Sequence, residues 1–222
     1  LETKISVIIT CYNLEDYISR AISSCINQTL YEGSYEIIVV DDSSTDKSWN
    51  IITSSSEMRD PDIIAIRHDV NKGVASASNT GIRAATGEYI IRVDGDDFIN
   101  KNMLFVMKEI LDNNQDVGFV YCDHTVVEQN KTRHFRMNTL ERLLDHGAGV
   151  MFRKKHLLSL GGYNEDLRNR EDYDLILRYI KNFDGYHLKL PYYRYFKRAG
   201  SLSTEIQERE RLKKEIDLRI KK

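Results

Sequence analysis

The chain predicts an α/β protein built on a mostly parallel, doubly wound sheet, and three observations carry that prediction. Short β-branched runs without alternation recur through the first hundred residues, stretches with apolar residues at helical spacing follow them, and several of the runs end in polar or acidic residues. A run that is apolar at nearly every position fits a strand covered on both faces, as in a sheet flanked by helices. Strand and helix in alternation imply right-handed crossovers between parallel strands.

The first strand is Ile5-Ser-Val-Ile-Ile-Thr10, which ends at Cys11, Tyr12 and Asn13. A helix follows from Asp16, with Tyr17, Ile18, Ala21, Ile22, Cys25 and Ile26 on one face. No GxGxxG joins the two, which argues against a dinucleotide-binding turn, where glycines admit a pyrophosphate. Glu36-Ile-Ile-Val-Val40 is the second strand and leads through Asp41-Asp-Ser-Ser-Thr-Asp46 into a helix carrying Trp49, Ile51 and Ile52. The Ser, Thr and Asp46 part reads as helix capping. Asp41 and Asp42 lie at a strand's carboxyl end, where open α/β sheets bind ligands, and one or the other reads as an acceptor for a nucleobase or ribose. Ile63 to Ile66 is the third strand. The helix after it, Val74 to Ala85, is built of small residues and must pack closely, with Lys72 and Arg83 as the nearest counter-charges for a phosphate.

The fourth strand, Tyr89 to Val93, runs into Asp94-Gly95-Asp96-Asp97. Capping the helix that begins near Asn100 needs one of these acids. Three crowded carboxylates repel one another, and a divalent cation is the usual remedy, so the turn reads as a metal and phosphate site, with Gly95 allowing a sharp turn.

Beyond this point the rhythm changes. A helix spans Asn102 to Asn113 and a strand Val117 to Tyr121; residues 123 to 137 are polar and weakly patterned, and His124 and His134 there have no second ligand at metal spacing. Gly147 to Phe152 reads as a small-residue strand, and Lys154 to Leu160 as a short helix ended by Gly161-Gly162. The next helix begins near Arg168 and carries Tyr173, Ile176, Leu177 and Ile180, with Glu171 and Asp172 in its first turn. Helix dipoles favour acids there; a general base held toward a cleft is the functional reading. Tyr186 to Leu190 is a strand, and the aromatic, basic segment from Pro191 to Arg198, with Ala199 to Ser203 after it, reads as a loop over a phosphate. Glu205 to Lys222 forms a charged amphipathic helix that either folds back, pairs with a partner helix, or rests on an anionic membrane.

Composition narrows the function classes. The formal net charge of −2, with 30 % charged residues, gives no field for holding nucleic acid nonspecifically. The three cysteines lie in apolar runs without zinc or CxxC spacing and read as buried free thiols of a reducing compartment. No apolar run approaches the roughly 20 residues that cross a bilayer, and the start lacks a signal-peptide core, so a cytoplasmic protein is expected, with peripheral contact at the inner membrane face through 205–222 as an option. The missing initiator Met suggests an excerpt of a longer protein.

Taken in order, Val7-Ile-Ile-Thr-Cys-Tyr-Asn13, Val39-Val-Asp-Asp-Ser-Ser-Thr-Asp46, Asn71-Lys-Gly-Val74 with Asn79-Thr-Gly-Ile82, Gly87-Glu-Tyr-Ile90, Asp94-Gly-Asp-Asp97, Gly161-Gly-Tyr163 and Glu171-Asp-Tyr-Asp-Leu175 resemble the family 2 glycosyltransferases of GT-A fold, from Ile5 to about Ser203. The resemblance implies a Rossmann-like, mostly parallel sheet in a domain over 1–204. Residues 1–98 would be its nucleotide-binding half and 99–204 an acceptor half with a smaller β region, with 205–222 a C-terminal helix. It implies a metal-dependent, inverting enzyme that moves a sugar from a UDP-sugar or other nucleotide sugar to a hydroxyl of a glycan, lipid-linked or other acceptor. Thr10, Tyr12 and Asp42 would hold the nucleoside, with Tyr12 stacked on the base and Asp41 shaping the pocket; Asn13, Lys72, Asn79, Gly95 and Arg198 complete the nucleotide side. Asp94 and Asp96 would be the DxD, with Asp96, supported by Asp94 or Asp97, binding Mn2+ or Mg2+ against the diphosphate. Asp172 would deprotonate the acceptor, with Gly162, Tyr163 and Glu171 on the acceptor side.

Two positions depart from the family's pattern: Ser78 stands where many members have Arg, and Arg198 at or close to where many have a His ligand. A guanidinium cannot ligate a metal but can clamp a phosphate, which suggests that Arg198 replaces a metal contact with an ionic one. Two other readings compete. Phosphatases of the haloacid dehalogenase type also place Asp-x-Asp at a strand end, but near the N-terminus and followed by a small residue then Thr or Val, whereas Asp97-Phe98 follow here after three other strands. A non-catalytic sugar-nucleotide binding module of the same fold is the second.

Overall fold

Two strands, β1 (Ile5–Cys11) and β2 (Tyr35–Asp41), are buried at every position, which explains why their sequences do not alternate. The computed structural model describes residues 4–30, 34–56, 63–128, 131–137, 139–145, 147–198 and 206–220. Between and after these strands come α1 (Ile18–Ile26), α2 (Ser48–Ser56), β3 (Ile63–Arg67), α3 (Val74–Ala84) and β4 (Tyr89–Asp94). Then follow β5 (Phe98–Ile99), α4 (Met103–Asn113), β6 (Val117–Glu128), β7 (Lys131–Phe135), α5 (Leu140–Asp145), β8 (Val150–Arg153), α6 (Lys154–Ser159), α7 (Glu171–Ile180), β9 (Asp184–Phe196) and α8 (Ile206–Ile220). One sheet joins all nine strands in the order β3-β2-β1-β4-β8-β6-β9-β5, with β7 paired to β6. The first four are mutually parallel, as the alternation of strand and helix predicts. The antiparallel pairs β4·β8, β6·β8 and β5·β9 break the rhythm where the sequence pattern changes.

Side-chain alternation divides the core. Ile5, Val7 and Ile9 of β1 join Ile18 and Ile22 of α1 and Met103 and Met107 of α4 on one face. Ile8 joins Ile38, Ala77, Ile82 and the α7 residues Tyr173 and Ile176 on the other. Each such fully buried apolar side chain is worth about 1.5–3 kcal/mol relative to exposure. The small residues of α3 serve the close packing expected of them: a Cβ at Gly81 would stand 2.4 Å from Ile8 Cγ2.

Four features differ from the sequence expectation. The weakly patterned region beyond Tyr121 continues β6 to Glu128 and turns back as β7; both are partly exposed, which is why they carry no apolar pattern. A short helix, α5, follows. Third, β9 does not stop at Leu190. Its pairing to β6 skips from Leu188 to Tyr193, so Pro191 falls in an irregularity where its missing N–H costs no ladder bond. Last, of the three options for the C-terminal helix, folding back is realised: Leu212 and Ile216 are buried in the α7 core, and Tyr173 donates its hydroxyl to Asp217 Oδ1 at 2.7 Å. The thiols of Cys11, Cys25 and Cys122 are free and buried, and burial pushes each up to about 12. Among the described residues no helix is long and apolar enough to cross a membrane.

Candidate active site

The carboxyl ends of β1, β2 and β4 open into a cleft of about 1060 Å³. Its lining brings together Thr10, Tyr12, Asn13, Asp42, Asp94, Gly95, Asp96, Glu171, Asp172 and Arg198, which are spread over almost the whole chain. The segment 199–203, read as part of a loop over a phosphate, lies outside the described residues.

At one end Tyr12 is 46 % exposed as a residue and lines the cleft. Asp42 is buried and rigidly held: Oδ1 accepts the Lys72 N–H at 2.9 Å and bonds His68 Nδ1 at 2.7 Å, while Oδ2 accepts the Gly73 N–H at 2.7 Å. His68 is itself buried and braced by Thr80 Oγ1 at 3.0 Å. Asn13, in the left-handed region at φ 52, accepts the Thr45 N–H at 2.8 Å and ties the β1 and β2 loops together. Asp41 is fully buried behind this pocket, paired with Arg67 Nε at 3.1 Å and accepting from Ser44 N–H at 3.2 Å; it shapes the pocket without lining it. Lys72 contributes its backbone, and its side chain does not line the cleft. Asn79 stands apart from the nucleotide position expected of it. Its amide clamps the loop of Gly162 and Tyr163, donating to the Tyr163 carbonyl at 2.8 Å and Glu165 at 2.9 Å and accepting the Tyr163 N–H at 2.9 Å. Gly162 is required by this clamp, since a Cβ there would stand 2.6 Å from Asn79 Oδ1. Neither Gly162 nor Tyr163 lines the cleft.

The three carboxylates of Asp94 to Asp97 point three ways. Asp97 faces inward: it accepts the Tyr193 hydroxyl at 2.7 Å and the Phe196 N–H at 2.8 Å, both from β9, and burial, with Asp96 and Asp94 nearby, holds its carboxyl well above the usual range. In this arrangement it anchors β9 and offers no oxygen to the cleft. Asp96 lines the cleft, with Oδ2 at 2.7 Å from Arg198 Nε. Its backbone carbonyl accepts from Arg20, whose guanidinium stacks on Phe98 and Phe196. The partner of Arg198 here is therefore a carboxylate. Gly95 supplies space rather than a left-handed turn: it is absent from the positive-φ glycines, and a Cβ would lie 2.7 Å from the Thr10 carbonyl oxygen and 2.9 Å from Leu14 Cδ1.

Arg92 completes the centre and is the residue the sequence reading passed over. It sits two positions before Asp94 on β4, so both side chains share a face. Its Nε lies 3.2 Å from Asp94 Oδ1, its Nη1 2.9 Å from Glu171 Oε1, and its guanidinium rests 5.1 Å from the Tyr163 ring centroid. Burial opposes its charge, but Asp94, Tyr163, Glu171 and Asp172 together hold it well above its ordinary value. The Asp94 contact is an ion pair without hydrogen-bond alignment, so Asp94 Oδ1 is buried with no hydrogen-bond partner among the described residues. Burial raises the Asp94 carboxyl, with Asp96 and Asp172 adding and Arg92 opposing. Burial and then Asp172 raise Glu171, again against Arg92. Asp172 differs from its neighbours: no cation stands within ion-pair distance of it among the described residues, and its Oδ1 accepts only the Tyr173 N–H at 2.7 Å. Gly147 packs directly on it; a Cβ at 147 would come within 2.4 Å of Asp172 Cβ.

Asp94 and Asp96 are oxygen donors on one turn, and a buried oxygen of Asp94 is without a hydrogen bond. That chemistry fits a hard divalent cation such as Mn2+ or Mg2+. Among the described residues, no three His, Cys, Asp or Glu side chains gather as a complete metal site.

The family model described as Glycosyl transferase family 2 matches residues 6–187. A poly(ribitol-phosphate) beta-glucosyltransferase of Bacillus spizizenii is 43 % identical over 102 residues, covering 46 % of this chain and 16 % of the relative. The Escherichia coli UDP-Glc:alpha-D-GlcNAc-diphosphoundecaprenol beta-1,3-glucosyltransferase WfaP is 42 % identical over 94 residues, covering 42 % of this chain and 36 % of the relative. The chain thus spans well under half the length of these relatives. Among solved structures, Staphylococcus aureus TarS 1–349 in complex with UDP-GlcNAc superposes with a TM-score of 0.80 at 24 % identity, over 91 % of this chain and 61 % of TarS 1–349. The mannosyltransferase PcManGT of Pyrobaculum calidifontis, in complex with GDP-Man and Mn2+, gives 0.73 at 20 % identity, over 94 % and 61 %. At these identities the structural likeness speaks for the shared GT-A fold.

Proposed function

The chain belongs to glycosyl transferase family 2, and from that premise we propose that it transfers a sugar, with inversion, from a UDP-sugar to a hydroxyl of a glycan or lipid-linked acceptor. One observation carries the reading: Asp172, a carboxylate without a cationic partner among the described residues, lines the same cleft as Tyr12, Asp42, Asp94 and Asp96. The choice of donor and acceptor draws on relatives named for UDP-Glc, for a diphosphoundecaprenol-linked sugar and for poly(ribitol-phosphate), and on TarS solved with UDP-GlcNAc.

In this mechanism the Tyr12 ring stacks on the base, and Asp42, fixed by the Lys72 and Gly73 amides, accepts a hydrogen bond from it. Asp96 and Asp94 would hold a divalent cation, whose chemistry there would be to neutralise charge on the departing diphosphate. Arg92 ties Glu171 down, which leaves Asp172 as the base. Asp172 takes the acceptor proton as the acceptor oxygen bonds to the anomeric carbon. The bond to the diphosphate oxygen breaks on the opposite face, and its electron pair leaves with the nucleotide.

Calorimetry with UDP-, GDP- and dTDP-sugars, with and without Mn2+, followed by assay of UDP release, tests the reading. Metal-dependent binding of a UDP-sugar with turnover is expected. Binding that ignores both metal and Asp96→Ala overturns the central assignment, and UDP binding without turnover of any donor favours a non-catalytic module.

A further inference from the structure

The start of α7 carries positive charge that the donor reading leaves unused. Arg168 is exposed in the cleft; its closest hydrogen-bonding partner is the neutral Asn71 Oδ1 at 3.4 Å, and no carboxylate pairs with it among the described residues. Arg209 reaches the same wall from α8 and, among the described residues, also meets only neutral oxygens, Asn169 Oδ1 at 3.5 Å and the Asp145 carbonyl at 3.2 Å. Arg170 pairs with Asp145 Oδ1 at 3.1 Å, yet its Nε finds no acceptor among the described residues although the residue is only 7 % exposed. Three guanidinium groups thus face one carboxylate.

A buried N–H without an acceptor is costly, and Arg170 also sits at φ 63, a left-handed conformation uncommon for a residue with a side chain. Guanidinium forks match planar or tetrahedral oxyanions, and each bond to such a group is charge-assisted. Arg170 and Asp172 line the same cleft, which puts an anion bound here within reach of the molecule that Asp172 would deprotonate. Arg168 also packs on Gly73 beside the nucleoside end, which makes the donor's own phosphates the alternative source of the anion. We propose that Arg168, Arg170 and Arg209 form an acceptor-side subsite for a phosphate ester carried near the hydroxyl that receives the sugar. The acceptor-side placement rests on the transfer reading above; the anion site itself does not.

Calorimetric titration of the full chain with glycerol 3-phosphate and with glycerol, each with and without saturating UDP, tests it. Glycerol 3-phosphate is expected to bind with UDP present and glycerol not, and Arg209→Gln to weaken the phosphate ester about tenfold, the loss of one charge-assisted contact. Arg168→Gln provides the same reading if Arg209→Gln fails to melt cooperatively. Three results overturn the proposal: no binding of glycerol 3-phosphate, binding insensitive to both variants, or displacement of the probe by UDP, which assigns the arginines to the donor. Probe binding that Arg209→Gln removes in a protein with no affinity for UDP keeps the anion site and ends the transfer reading instead.

Discussion

The two ends of the cleft hold their carboxylates by different means. At the end proposed for the nucleoside, Asp42 is gripped by two backbone N–H groups and a buried histidine, from a loop that starts within thirty residues of it. At the end proposed for transfer, Asp94, Asp96 and Glu171 are gripped by Arg92 and Arg198, and the Arg198 contact spans 102 positions. A backbone amide cannot swing away from its acceptor without unfolding the loop; a guanidinium on a flexible stem can. The nucleoside end is therefore preformed, and the transfer end is a set of ion pairs able to exchange partners when charged ligands arrive. Asp172 stands outside both schemes, since among the described residues no cation pairs with it.

That contrast is broken most severely at Asp172. Asp172→Asn is expected to lower kcat by about 10²–10⁴-fold, the range for a general base, while leaving UDP affinity in place. A loss below about tenfold would pass the role to Glu171 and remove the reason for its pairing with Arg92. Gly147→Ala tests the same carboxylate through its position. The new methyl must displace Asp172, and an error of about 1 Å at a reacting group costs about 10²-fold in kcat. Gly147→Ala with unchanged kcat would show that the Asp172 position is not demanding.

Asp42→Asn sharpens the other side. An amide has one acceptor oxygen where the carboxylate serves three donors, so at least one buried N–H loses its partner, at a cost of about 1–3 kcal/mol. For a chain of this size each kcal/mol lowers Tm by about 2–4 °C. UDP affinity and Tm should therefore fall together; a fall in UDP affinity alone would mean that the carboxylate is not what holds the loop.

The same contrast explains what could be read from the chain. Acids that follow an apolar strand are visible because strand and ligand end are adjacent in sequence: Asp42, Asp94 and Asp96 are marked by local pattern, and all three line the cleft. The sequence did not tell which of the crowded acids turns inward. Asp97 does so because Tyr193 and Phe196, about a hundred residues later, donate to it, and no local pattern carries that partner. Asn79 has the right neighbours for a phosphate flank, yet the Gly162-Tyr163 loop claims its amide. His68 drew no reading from the sequence, and it braces Asp42. Arg92 alone left a signal: a cation inside an apolar strand, two residues before an acid, shares that acid's face.

The smallest predicted effect separates the two ends most sharply. The Arg198–Asp96 pair, with side chains 24 % and 15 % exposed, is partly screened and worth about 1 kcal/mol. Without nucleotide, the guanidinium and a divalent cation compete for the same carboxylate. Arg198→Ala should then raise Mn2+ affinity by about fivefold in the absence of UDP, the equivalent of that pair, as read from the electron paramagnetic resonance of free Mn2+. If the guanidinium transfers to the diphosphate when donor binds, the same variant should lower UDP affinity at saturating Mn2+. Opposite signs in the two titrations are the mark of an exchangeable partner. No change in either would make the pair a fixed surface contact, and the transfer end would then be as rigid as the pocket around Asp42.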